Sequence, residues 1–235
     1  MLAVCGFIVS LFFGSWQALA AGETTMSDVK AGFARAVGVA PKAVRNLRVL
    51  ELPPGGKLAA CWLGIVEKKD GPEGALVPVG LCKSGICPGK PLELPFASHL
   101  LDIAVIDLQK PFKIDLSKLP QSGSQVIRSS GQKGHSALLV RTRYKFESEG
   151  ERDNIVLCSL EEKPRLLWEE ETRSVGADGG GFESYELSFT PGSGGWPVIS
   201  LLQTTVPGMG RQPFMPGPPL LLHYQYKGKS YRRVD

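Results

Sequence analysis

The sequence predicts a mainly β fold: an antiparallel β-sandwich or barrel-like meander, with α+β character only at the N-terminus, where one helix is expected. Three observations predict it. The 235 residues include 28 Gly and 18 Pro, a combined share well above the roughly 12% of average usage. Each such residue inside a helix costs about 1 to 3 kcal/mol. Apolar residues recur with a period of two over most of the chain, as half-buried strands require. The apolar runs are short and separated by turn residues at regular spacing, the pattern of an all-β domain. At 21% charged and 43% apolar residues, the composition excludes a disordered polyelectrolyte and a polytopic membrane protein.

No charged side chain precedes Glu23. Leu2 to Trp16 is largely apolar, and Ala18-Leu19-Ala20 follows with small residues at −3 and −1. This is the pattern of a signal peptide over 1–20, cleaved near Ala20, which predicts a secreted or periplasmic mature chain. The alternative is an N-terminal membrane anchor, because Met1 to Gly22 approaches the roughly 20 residues that span a bilayer. Beyond residue 22 no second apolar run reaches that length, so the mature chain is not expected to span a membrane.

Without Cys5, four cysteines remain: Cys61, Cys82, Cys87 and Cys158. An even number in an exported chain favours disulfides. The short Cys82-Lys-Ser-Gly-Ile-Cys87 span can close on itself, which leaves Cys61 and Cys158 to pair across the core. The rival pairing is Cys61–Cys82, should 58–66 and 76–82 form a hairpin around Asp70-Gly71-Pro72. A zinc site lacks a second closely spaced Cys or His pair.

Along the chain, Val29, Phe33, Ala36 and Val37 share one helical face over 27–38, with Ser27 available as cap and Gly38 as stop. Leu58 to Val66 is apolar on both faces, as in a central strand covered on both sides. The helix and these strands form a small α+β unit over 21–90. A Pro-rich stretch, 87–95, reads as a boundary or crossover. An antiparallel meander over 96–235 follows, continuous with the first unit or separate from it. Within it Leu138, Val140, Tyr144 and Phe146 alternate with Arg141, Arg143 and Lys145, which predicts one buried face and one wet face. The run Glu169-Glu170-Glu171 reads as a solvated strand edge able to pair with that basic row.

Linear catalytic motifs are missing. Gly134-His135-Ser136-Ala137-Leu138 lacks the final Gly of a nucleophile elbow and enters a strand. Asp102, Asp107, Asp115 and the Glu run could supply a carboxylate pair, but such a pair is defined by its separation in space. Gly176 to Gly181 is neither a P-loop nor a calcium loop. No cofactor or metal is therefore expected. Two features suggest partner binding. Residues 205–219 form a long Pro- and Gly-rich loop carrying Met209, Arg211, Phe214 and Met215. Lys227, Lys229, Arg232 and Arg233 form a basic C-terminal hairpin interleaved with tyrosines. These point to an exported, non-catalytic envelope or extracellular module that binds a protein or an anionic glycan. Nucleic acid does not fit the address. The alternatives are a secreted hydrolase whose site is not a linear motif, and a structural domain of a larger envelope assembly.

Overall fold

The computed structural model describes residues 25–52, 58–82, 85–117, 127–128, 136–146, 150–176, 179–206 and 218–234. The signal-peptide segment, and Met209, Arg211, Phe214 and Met215 of the long loop, lie outside the described residues. The chain is mostly antiparallel β with one N-terminal helix, sandwich-like and without a closed barrel. Among the described residues no helix is long and apolar enough to cross a membrane.

Helix α1 spans Met26–Val37. Its cap is Thr25 and not Ser27. Asp28 at N3 closes a capping box with Thr25, and Gly38 ends the helix in a left-handed conformation; both devices satisfy backbone groups that a helix end leaves open. The strands are β1 Val44–Glu51, β2 Leu58–Lys68, β3 Gly71–Cys82, β4 Gly85–Pro88, β5 Leu92–Phe96, β6 His99–Asp107, β7 Phe112–Asp115 and β8 Ile127–Arg128. Then come β9 Ser136–Phe146, β10 Gly150–Ser159, β11 Leu166–Val175, β12 Gly181–Thr190, β13 Val198–Val206, β14 Leu220–Tyr226 and β15 Tyr231–Val234.

The first sheet is five-stranded, in the order β1-β2-β3-β4, with β5 also on β3. The Pro-rich stretch therefore contributes two short strands and is not a bare crossover. Helix α1 covers the outer face, where Phe33 packs with Ala60, Trp62 and Val77. Gly64 makes this approach possible, because a Cβ there would sit 2.9 Å from the Phe33 ring.

The second sheet is ten-stranded, in the order β15-β14-β13-β12-β11-β10-β9-β6-β8, with β7 also on β12. Its central strands are apolar on both faces. Leu138, Val140, Val156 and Cys158 pack with Cys61, Leu63 and Leu76 of the first sheet. Ala137, Leu139, Ile155 and Leu157, on the opposite face, pack with Leu187, Ile199, Leu201 and Leu222 of β12, β13 and β14. One hydrogen-bonded sheet buries that face against itself only if it doubles over.

Cys82 and Cys87 form a disulfide across the β3–β4 hairpin. The cross-core disulfide is not formed. Cys61 and Cys158 are free thiols buried in the same inter-sheet cluster, and burial pushes both up to about 12. The Cys61–Cys82 alternative fails on register, because Cys61 lies opposite Pro78.

Gly150 opens β10 at φ +114°, and an added Cβ would lie 1.8 Å from the Val175 carbonyl oxygen. Gly150→Ala should cost about 2 to 4 kcal/mol. Gly194→Ala, at φ +69° with no atom within 4 Å of the added Cβ, should cost only about 1 kcal/mol. Urea unfolding of the two variants checks the difference.

Candidate functional site

The odd-numbered residues of β9 run from apolar to charged: Ala137, Leu139, Arg141, Arg143, Lys145. The wet face expected from this alternation holds at Lys145, which is exposed, and gives way toward Arg141 to the inner face of the doubled sheet. Arg141 is only 4% exposed. The acidic partners come from β10 and β12, not from the Glu169–Glu171 run, because β10 lies between β9 and β11 in the sheet.

Register places Arg143, Asp153, Arg173 and Glu183 directly opposite one another across β9, β10, β11 and β12. Opposite charges in facing positions of an antiparallel ladder attract. Arg143 donates from Nε to Asp153 Oδ1 at 2.6 Å and from Nη2 to Oδ2 at 2.8 Å, the bidentate geometry that guanidinium favours. Glu151 takes Arg173 Nη1 at 2.8 Å and Lys145 Nζ at 2.9 Å, with Arg143 Nη1 at 3.4 Å. Lys145 and Arg173 together hold the Glu151 carboxyl down to about 2.

The row borders a fork in the sheet. β11 and β12 pair only from Arg173–Glu183 outward to Val175–Gly181. Further along, β12 is paired with β7, Glu186 opposite Asp115 and Phe189 opposite Phe112, and Leu116 N donates to Tyr185 O at 2.7 Å. Ser184 is the residue between these two partners. On the other flank of β12, the β13 register shifts between Ser184 and Glu186. Gln203, opposite Ser184, donates to the Glu171 carbonyl at 3.4 Å, which answers a backbone acceptor that the parting ladder leaves open.

A cavity of about 120 Å³ lies in the fork. Its floor is Arg141, Thr172 and Ser184, its walls Leu116 and Asp153, and its rim Ser117, Arg143, Arg173 and Glu183. Arg141 Nη2 donates to the Leu116 carbonyl at 3.1 Å, and Thr172 Oγ1 donates to the Asp153 carbonyl at 3.2 Å. Among the described residues, Arg141 Nε and Ser184 Oγ are buried without a hydrogen-bond partner. Asp102 faces Arg141 across β6 and β9, and burial raises its carboxyl above the usual range.

Comparison with protein-family models, with curated proteins and with solved structures finds no match to this chain.

Of the residues that the sequence singled out, Lys227, Lys229, Arg232 and Arg233 are exposed on the β14–β15 hairpin, Arg232 and Arg233 on its opposite faces. Beneath them Tyr224 and Tyr231 are buried, and Tyr231 meets the edge of a stacked Trp196–Tyr226 pair. Ser136 begins β9 opposite Asp107, while His135 lies outside the described residues. His223 accompanies Ser200 at 2.9 Å. Among the described residues no three His, Cys, Asp or Glu side chains converge as a metal-ligand set. The fork cavity was missed by the sequence reading, because its residues come from β9, β10, β11, β12 and the two positions after β7. The one available signal was a basic alternation on β9 matched by Glu151 and Asp153 at hairpin register on β10.

Asp153 is 2% exposed, so Asp153→Asn should cost about 3 to 5 kcal/mol by leaving Arg143 without its bidentate partner; denaturant unfolding measures it. Glu151 gives a pH test. Its carboxyl falls from 4.5 to about 2 on folding, so its contribution is complete above pH 4.5 and is lost as pH drops through about 2. Glu151→Gln should therefore flatten the acid side of the stability profile in that window and leave the slope above pH 5 unchanged.

Proposed function

We propose that this chain is an exported, non-catalytic envelope or extracellular β module that binds an anionic glycan through its basic C-terminal hairpin. The observation that carries the reading is the placing of Lys227, Lys229, Arg232 and Arg233 on one exposed hairpin. The β14–β15 pairing fixes its backbone, and Tyr226 Oη, donating to the Gly228 carbonyl at 2.7 Å, pins its turn. A pre-organised group of cations loses little freedom when it meets a polyanion. The same side chains guard the exposed edge of β15 against pairing with another strand. The apolar N-terminal run and the Cys82–Cys87 disulfide support an oxidising, extracytoplasmic address.

Chromatography on immobilised polygalacturonate tests the reading. The wild-type chain should be retained at low salt and released as salt rises. Replacing all four cations with Gln should weaken binding by roughly fourfold or more, at about 0.2 to 1 kcal/mol per exposed charge. Equal retention of the two proteins contradicts the glycan reading. Retention of an acidic protein ligand but not of the polyuronate would move the partner to the protein class.

A further inference from the structure

Among the described residues, Arg141 is a buried charge without an ion pair. Its guanidinium stays protonated at any pH the fold survives, yet the Leu116 carbonyl is its one hydrogen-bond partner among the described residues. Its neighbours differ. Arg143 is held by Asp153, and Arg173 lies between Glu151 and Glu183. The carboxylates that act on Arg141 from beyond ion-pair distance include Asp102, Asp153 and Asp115, and burial biases Asp102 toward its neutral acid. Ser184, on the strand across the fork and 2% exposed, has a hydroxyl with no partner among the described residues. Buried donors of this kind are costly to leave unmet, and both line the same cavity.

We propose that the fork cavity is a binding site for a small monocarboxylate, with Arg141 Nε and Ser184 Oγ donating to its oxygens. What the floor lacks is acceptors, and a carboxylate supplies acceptors alone. The lining carries Arg141, Arg143 and Arg173 against Asp153 and Glu183, and Glu151, Asp102 and Asp115 act on the same arginines, a balance that disfavours a phosphate dianion more than a monoanion. The volume is about 120 Å³. That holds a carboxylate on a short stem and falls well below the roughly 300 Å³ at which pockets for larger ligands begin. The planar guanidinium matches a carboxylate better than it matches a spherical halide. This site is separate from the hairpin and does not depend on what the hairpin binds.

The test is titration of the whole chain with ¹³C-labelled acetate at fixed ionic strength, read by NMR, beside parallel titrations with sulfate, phosphate and glucuronate. Acetate should bind saturably in the millimolar range or tighter, and sulfate and phosphate at least tenfold more weakly. Ser184→Ala should weaken acetate binding about three- to tenfold, and Arg141→Met at least tenfold. Should Arg141→Met fail to fold, Ser184→Ala and the anion series still decide. Glucuronate binding as well as acetate assigns the carboxylate to a sugar; its failure assigns it to a small free acid. Either supports the site. No saturable acetate binding by the wild-type chain overturns the proposal. So does equal affinity for phosphate or sulfate, or acetate binding that Ser184→Ala leaves unchanged.

Discussion

Everything in the second sheet follows from β9 and β10 being apolar on both faces. A strand of that kind must be covered twice, because each apolar face left in water forfeits about 25 cal/mol per Å². The first sheet supplies one cover, through Leu63 and Leu76 against Val140 and Val156. The other cover has to come from further along the chain, and it does so within the same hydrogen-bonded sheet. β12, β13 and β14 return over Leu139, Ile155 and Leu157, so the ten-stranded sheet closes on its own inner face.

Doubling over has a geometric consequence. A ladder cannot stay paired along its full length where it turns back, so β11 and β12 share only the Arg173–Val175 segment. β7 fills the vacated side of β12, and Leu116 carries its hydrogen bonds to Tyr185. At the parting point the apolar core gives out and charge begins. The Arg143–Asp153 pair and the Arg173 row make the end of the fold polar yet internally matched. Arg141 Nε and Ser184 Oγ, two of the buried polar atoms without a partner among the described residues, sit where the strands part.

The fold class, the helix and most strands were legible because each is written in local periodicity. β2 reads as covered on both sides, and Cys82 to Cys87 reads as a hairpin staple, from residues next to one another. What was not legible depends on residues far apart in the chain. The Arg141, Arg143 and Lys145 alternation looks like a solvated face because nothing nearby shows that β12 returns over it. Phe112 to Asp115 is too short to announce a strand before β12 is there to receive it. The thiols of Cys61 and Cys158 reach the same cluster as the sequence implied, without the bond. The basic hairpin was visible for the opposite reason, since its Tyr, Lys and Arg alternate within a dozen residues.

The fork and its buried arginine depend on the doubled sheet, and methyl–methyl NOEs in a selectively labelled sample test that doubling most directly. The predicted result is two separate sets of cross-peaks. Leu139 and Leu157 should meet Ile199, Leu201 and Leu222, while Val140 and Val156 meet Leu63 and Leu76. If the Ile199, Leu201 and Leu222 methyls show cross-peaks only among themselves, the sheet does not close on its inner face, and the fork with its buried arginine goes with it.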